Sequence, residues 1–141
     1  MNIMITGAGG MLGSMLVYRW SRLASIMACS HSAALRDDQK YATAQFDLLD
    51  VEALRKVMAD YKPDWVVHCA ALTNVDECEQ YPLRAHEQHV VVTRNVADAC
   101  RKHNAKMVHI STDFVFDGEC GVYGELDPVH PINEYGKSKL A

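Results

Sequence analysis

At 141 residues the chain is about one domain long, and long enough to bury a core. Its 49% hydrophobic and 23% charged residues exclude a disordered or fibrous chain, and a formal net charge of -4 without a basic cluster gives no reason to expect nucleic acid as a partner. No apolar run approaches the roughly 20 residues that cross a bilayer, and the opening residues run into a glycine turn, unlike a signal peptide. No membrane partner and a cytoplasmic location are therefore expected.

Five short apolar runs alternate with helical patterns. The first strand is Asn2 to Thr6, running directly into Gly7. A helix follows over about Met11 to Leu23, with Leu12, Leu16, Trp20 and Leu23 along one face. The second strand is Ser25 to Ser30, and after a polar connection from Ser32 to Lys40 the third is Thr43 to Phe46. Asp50 can cap a helix carrying Val51, Leu54, Val57, Met58 and Tyr61, which stops before Pro63. Trp65 to Cys69 is the fourth strand. A longer helix from about Leu83 to His103 presents Val92, Val96, Ala99 and Cys100, although Val90-Val91-Val92 could pass locally for strand. The fifth strand is Lys106 to Ser111, and after a loop rich in glycine and proline Asn133 can cap a last helix. Strands separated by helices imply a mostly parallel, doubly wound α/β sheet of the Rossmann type, for which the expected strand order is 3-2-1-4-5.

Gly7-Ala8-Gly9-Gly10-Met11-Leu12-Gly13 lies between the first strand and the first helix. Glycine there permits a tight turn, lets backbone approach a pyrophosphate and lets helix pack on strand, while the helix N-terminus offers free amides to the anion. An acid that would accept from the ribose hydroxyls of NAD usually ends the second strand; here the tip reads Cys29-Ser30-His31-Ser32. Without that carboxylate, Ser30, His31 or Arg36 could donate to a 2′-phosphate, which favours NADP over NAD as cofactor and leaves NAD as the alternative. Asp47-Leu48 either contacts the adenine or belongs to a turn. The fifth strand ends in Ser111-Thr112-Asp113, where doubly wound folds bind ligands, so Thr112 is a candidate hydrogen-bond donor. Tyr135 and Lys139 are one helical turn apart on one face, and an ammonium beside a phenol favours its ionised form. Cys29, Cys69, Cys78, Cys100 and Cys120 are odd in number and lack Cys-x-x-Cys spacing; they are read as thiols, and no His or Cys pair suggests a metal.

These stretches, with His68-Cys69-Ala70-Ala71-Leu72-Thr73-Asn74-Val75-Asp76 and Ser111-Thr112-Asp113-Phe114-Val115-Phe116-Asp117-Gly118, resemble the extended short-chain dehydrogenase/reductase superfamily. Within it, the chain is similar to the dTDP-4-dehydrorhamnose reductase-like (RmlD-like) branch. The resemblance implies that Tyr135 protonates the carbonyl oxygen of a 4-keto nucleotide sugar as hydride arrives from the nicotinamide. Lys139 would lower the pKa of Tyr135 and hold the nicotinamide ribose, and Thr112 would hydrogen-bond the substrate oxygen. Gly10, Met11, Leu12 and Gly13 would line the pyrophosphate, Ala70, Ala71 and Thr73 would run beneath the cofactor, and Asp113 and Val75 would touch the substrate. The alignable position for an asparagine usual in the helix after the fourth strand is His89, a departure that removes the family's grounds for a proton relay there.

Relatives of this kind run to roughly twice the length by the prior for a two-lobed enzyme. Residues 1–141 are accordingly expected to be the NAD(P)-binding Rossmann part of a longer reductase of deoxysugar biosynthesis, without the last strands and the substrate lobe, the full-length parent being a candidate homodimer. The alternatives are a non-catalytic NADP-binding regulatory subunit of the same branch and an inactive cofactor-binding fragment.

Overall fold

In the computed structural model, which describes residues 1–32, 35 and 40–141, the apolar runs form five strands: β1 Asn2–Thr6, β2 Ser25–Ser30, β3 Ala42–Gln45, β4 Trp65–His68 and β5 Lys106–His109. All neighbours pair in parallel, in the expected order β3-β2-β1-β4-β5. Arg36, with most of the polar connection, lies outside the described residues. The chain divides into two compact units, Met1–Ala70 with Val92–Ile110, and Ala71–Val91 with Ser111–Ala141.

The first unit holds the sheet and three helices: α1 Met11–Trp20, α2 Val51–Tyr61 and, later in the chain, Val92–His103, which is numbered α5 below. Alternate residues of a strand face opposite sides, and both sides here are apolar. Met4, Cys29 and Val66 join Leu54 and Met58 of α2 and Val96, Ala99 and Cys100 of α5 on one face. Ile3, Ile5, Ile26, Ala28 and Val67 join Val17 of α1 on the other. The helices thus lie on both faces, as a doubly wound sheet requires.

Several boundaries moved. The first helix stops at Trp20, where the Ser21 and Ala24 N–H groups close turns onto Val17 and Trp20 (3.0 and 2.9 Å). Leu23 is therefore 81% exposed and Leu12 is exposed as well, while Leu16 and Trp20 of the expected face pack partly buried against the core beside Val17. Strand β3 begins one residue early, although the Phe46 N–H still donates to the Ser30 carbonyl (3.0 Å). β4 ends at His68 and β5 at His109, each short of its expected end, with single bonds from Cys69 to Thr6 (3.3 Å) and from Ile110 to His68 (3.4 Å) beyond the strands.

The second unit is made of α3 Val75–Gln80, α4 Pro82–His86, a π-helical turn Glu87–Val91, a 3₁₀ turn Asp113–Val115 and α6 Glu134–Leu140. Helix α3 is additional to the sequence reading, and its start is marked by Asn74, whose side chain accepts from the Glu77 N–H (3.1 Å). Pro82 occupies the first turn of α4, where its missing N–H costs nothing. The helix expected over Leu83 to His103 therefore contains a widened π turn at the valines whose local pattern was ambiguous. Helix α6 packs against α3, α4 and the 3₁₀ turn.

Candidate functional site

The first unit carries the glycine turn. Gly7 has φ +66°, a left-handed conformation that disfavours other residues, and a Cβ there would lie 2.6 Å from the Ala70 nitrogen. At Gly13 a Cβ would stand 2.2 Å from the Gly7 carbonyl oxygen, so helix and turn approach as closely as backbone allows. Gly10 precedes α1 with no side-chain cap, the first turn has no acid, and Met11 is 92% exposed. The helix therefore begins with uncapped amides in an open position, the chemistry that suits an anion. These features fit the pyrophosphate of a dinucleotide: the backbone is laid bare where bulk would block it, and the first turn of α1 holds no carboxylate to oppose the charge.

Beneath the turn lies a polar connection that sequence reasoning left without a role. His68 is 1% exposed; its Nδ1 is 2.7 Å from Thr6 Oγ1 and its Nε2 3.3 Å from Thr93 Oγ1. The Ala70 N–H donates to Thr6 Oγ1 (3.5 Å), and the Ala8 N–H to the Cys29 carbonyl (3.0 Å). The ends of β1, β2 and β4 are thereby tied to the glycine turn. At the tip of β2, Ser30 is buried and His31 is exposed, with its Nε2 3.6 Å from Asp47 Oδ2. Asp47 also accepts from the Leu49 N–H (2.9 Å), so its carboxylate braces the turn before α2; the Leu48 carbonyl accepts from Asn95 (3.1 Å).

The second unit gathers the remaining sequence-predicted residues: Ala71 and Thr73 before α3, Val75 at its first position, Thr112 and Asp113 at the 3₁₀ turn, and Tyr135 and Lys139 on α6. Asn133 caps α6 by accepting from the Gly136 N–H (2.8 Å). Gly136 sits where a Cβ would be 2.2 Å from the Phe114 carbonyl oxygen, which draws α6 against the 3₁₀ turn. Tyr135 consequently meets the Phe114 ring edge-on at 5.4 Å and the His89 ring at 5.5 Å. Thr112 caps the 3₁₀ turn: its Oγ1 accepts from the Phe114 N–H and donates to Asp113 Oδ1 (both 3.2 Å). Burial penalises the Lys139 ammonium and lowers its pKa from the ordinary value.

Three residues that the sequence reading gave no part in the site also meet here. His89, 4% exposed, bonds Ser138 of α6 and the Leu72 peptide. Its place in a superfamily-aligned helix position was legible; its partners were not.

Comparison with known proteins adds to this geometry. A family model described as the RmlD substrate binding domain matches residues 1–141. The chain is 38% identical over 143 residues to the dTDP-4-dehydrorhamnose reductase of Mycolicibacterium smegmatis, covering 99% of this chain and 39% of that protein. It is 35% identical over 139 residues to methionine adenosyltransferase 2 subunit beta of Xenopus laevis, covering 97% and 40%. The crystal structure of dTDP-4-dehydrorhamnose reductase from Bacillus anthracis str. Ames in complex with NADP superposes with a TM-score of 0.78 at 32% identity, covering 99% of this chain and 46% of that one. The chain thus spans under half the length of these relatives.

Proposed function

This chain belongs to the RmlD substrate binding domain family, and on that premise we propose that residues 1–141 are the cofactor-binding part of an NADPH-dependent reductase of 4-keto nucleotide sugars. The observation that carries the reading is Tyr135 on α6, one turn from half-buried Lys139 and flanked by the turn that Thr112 caps. A ketoreductase needs a proton donor, a group that favours the donor's anion and a hydrogen-bond donor for the carbonyl oxygen. These three residue types supply that set.

The hydride is the part of the chemistry that a bound nicotinamide dinucleotide supplies. Gly10, Met11, Leu12 and Gly13 would hold its pyrophosphate with backbone amides, Gly7 shaping the turn, and Ala70, Ala71 and Thr73 would line its path. Tyr135 would give its phenolic proton to the substrate oxygen, and the Lys139 ammonium would stabilise the phenolate left behind and hold the nicotinamide ribose. Half-burial of Lys139 strengthens that attraction, since charges interact more strongly away from bulk water. Thr112 must turn its hydroxyl from Asp113 to the substrate oxygen, and Asp113 and Val75 then border the sugar. The lack of an acid among Cys29, Ser30, His31 and Ser32 favours NADP over NAD. The cost of that choice is local: His31 would exchange its Asp47 carboxylate for the 2′-phosphate.

Oxidation of NADPH by dTDP-4-keto sugars, followed at 340 nm with the full-length protein, tests the reading. Tyr135→Phe should lower turnover by about 10²- to 10⁴-fold, the usual worth of a positioned acid; unchanged turnover would refute Tyr135 as the donor. A clear preference for NADH in parallel titrations would refute the assignment of the β2 tip. The similarity to a protein named as a subunit favours a second reading, a dinucleotide-binding subunit that stabilises a partner enzyme. Cofactor binding without turnover, together with a co-purifying partner, would select it.

A further inference from the structure

His89 is a buried polar side chain of the second unit with bonds on both ring nitrogens. It lies in the π-helical turn Glu87–Val91, a widening of the helix that re-aims side chains and recurs at functional sites. Its Nδ1 is 2.7 Å from Ser138 Oγ, and its Nε2 is 2.9 Å from the Leu72 carbonyl oxygen and 3.2 Å from the Leu72 nitrogen.

Either tautomer closes the connection. With hydrogen on Nδ1 the ring donates to Ser138 Oγ, whose own hydroxyl donates to the helical carbonyl of Glu134 (2.7 Å) or Tyr135 (3.0 Å), and Nε2 accepts from the Leu72 N–H. With hydrogen on Nε2 the ring donates to the Leu72 carbonyl, and Nδ1 accepts from the Ser138 hydroxyl. One ring therefore joins the Leu72 segment to the turn of α6 that lies between Tyr135 and Lys139.

We propose that His89 is a positioning residue for Tyr135: by holding Ser138 against the Leu72 peptide it sets the roll of α6 and the direction in which the phenol is presented. The inference rests on the reductase reading for its kinetic consequence. Three contacts converge on the same result. The rings of His89 and Tyr135 meet edge to face at 5.5 Å and 78°, those of Phe114 and Tyr135 at 5.4 Å and 82°, and Gly136 brings α6 onto the Phe114 carbonyl. Without His89, Ser138 still has its helical carbonyls, so α6 remains a helix but loses its anchor.

The test compares the full-length protein with its His89→Leu, His89→Asn and Ser138→Ala variants, using NADPH, a 4-keto nucleotide sugar and hydrogen exchange of the α6 amides. His89→Leu and Ser138→Ala should each lower kcat by about 10- to 100-fold, the scale of a misplaced reacting group, with KM and the NADPH Kd within about threefold. The double variant should be no worse than either single change, because both cut one connection. The asparagine side-chain amide offers both a donor and an acceptor near the position of Nδ1, so His89→Asn should recover most of kcat. Exchange across α6 should quicken in His89→Leu and Ser138→Ala and not in His89→Asn. Retention of full kcat by His89→Leu, additive losses in the double variant, or unaltered α6 exchange would overturn the proposal. If the unsubstituted protein reduces no keto sugar, the reductase reading fails, while hydrogen exchange still decides whether His89 anchors α6. Should His89→Leu fail to fold, Ser138→Ala and His89→Asn carry the same comparison.

Discussion

Replacing Gly13 by alanine asks how closely α1 must approach the turn that precedes it. The new Cβ would lie 2.2 Å from the Gly7 carbonyl oxygen, 2.8 Å from its carbon and 2.9 Å from Ala8 Cα. Favourable contact between such atoms begins near roughly 3.5 Å, so the first distance has to open by about 1.3 Å. All three opposing atoms are backbone, which cannot rotate away as a side-chain tip can. Overpacking of this kind costs about 1–3 kcal/mol, and a rigid partner places Gly13 towards the upper end. Alanine also regains up to about 1 kcal/mol of helix propensity, which leaves a net loss of about 2 kcal/mol. Thermal unfolding should fall by about 8 °C, at about 4 °C per kcal/mol for a chain of this size. Because the displaced atoms belong to the turn proposed to hold pyrophosphate, the NADPH Kd in a fluorescence titration should rise by about tenfold or more, even where the protein is fully folded. Gly10→Ala is the matched control for stability: its Cβ would be 3.3 Å from the same oxygen, a gap that a few tenths of an ångström relieves. A Gly13→Ala protein with unchanged melting and affinity, or a Gly10→Ala protein with an equal fall in melting temperature, would refute this account of the turn.

Lys139→Met should raise the melting temperature at pH 7 while abolishing reduction. Burial lowers the folded-state pKa of Lys139, so the charged form is penalised at all pH values below that depressed pKa, and the penalty disappears as pH climbs towards the ordinary 10.5. The variant's advantage should therefore shrink in melts at alkaline pH, and no advantage at pH 7 would contradict the burial argument. Asp50→Ala removes the acceptor for the Glu52 and Ala53 N–H groups (3.1 and 3.0 Å) at the start of α2, and should cost about 1 kcal/mol in urea unfolding while Asp50→Asn stays near the parent. Among the thiols, Cys120 is exposed, whereas burial pushes Cys29 up to about 12 and Cys100 up to about 11. Iodoacetamide at pH 8 should label Cys120 first and reach Cys29 and Cys100 only on unfolding; early labelling of Cys29, read by peptide mass, would show that the sheet opens locally.

Much of the scaffold is written in short-range patterns. The strand alternation, the Asp50 and Asn133 caps and the buried stripe Val92, Val96, Ala99 and Cys100 each depend on residues a few positions apart. Helix ends were less legible: Leu23 has the right spacing for the apolar face of α1, yet the turn at Ser21 comes first and leaves it exposed. Helix α3 had a local signal in Asn74 and Glu77, three residues apart in a capping pattern, which the surrounding polar residues obscured.

Residue order alone is enough for the glycine turn and the shared helical face of Tyr135 and Lys139, which follow from the period of the helix and from glycine's freedom, and for the parallel sheet, whose order follows from the doubly wound alternation of strands and helices. Side-chain partnerships between distant residues are of another kind. Asp47 beside His31, His68 between Thr6 and Thr93, and His89 between Leu72 and Ser138 leave no periodic trace, since each partner is chosen by where the folded backbone passes. A buried imidazole must find hydrogen-bond partners, but the sequence does not say which ones, and packing alone supplies the answer.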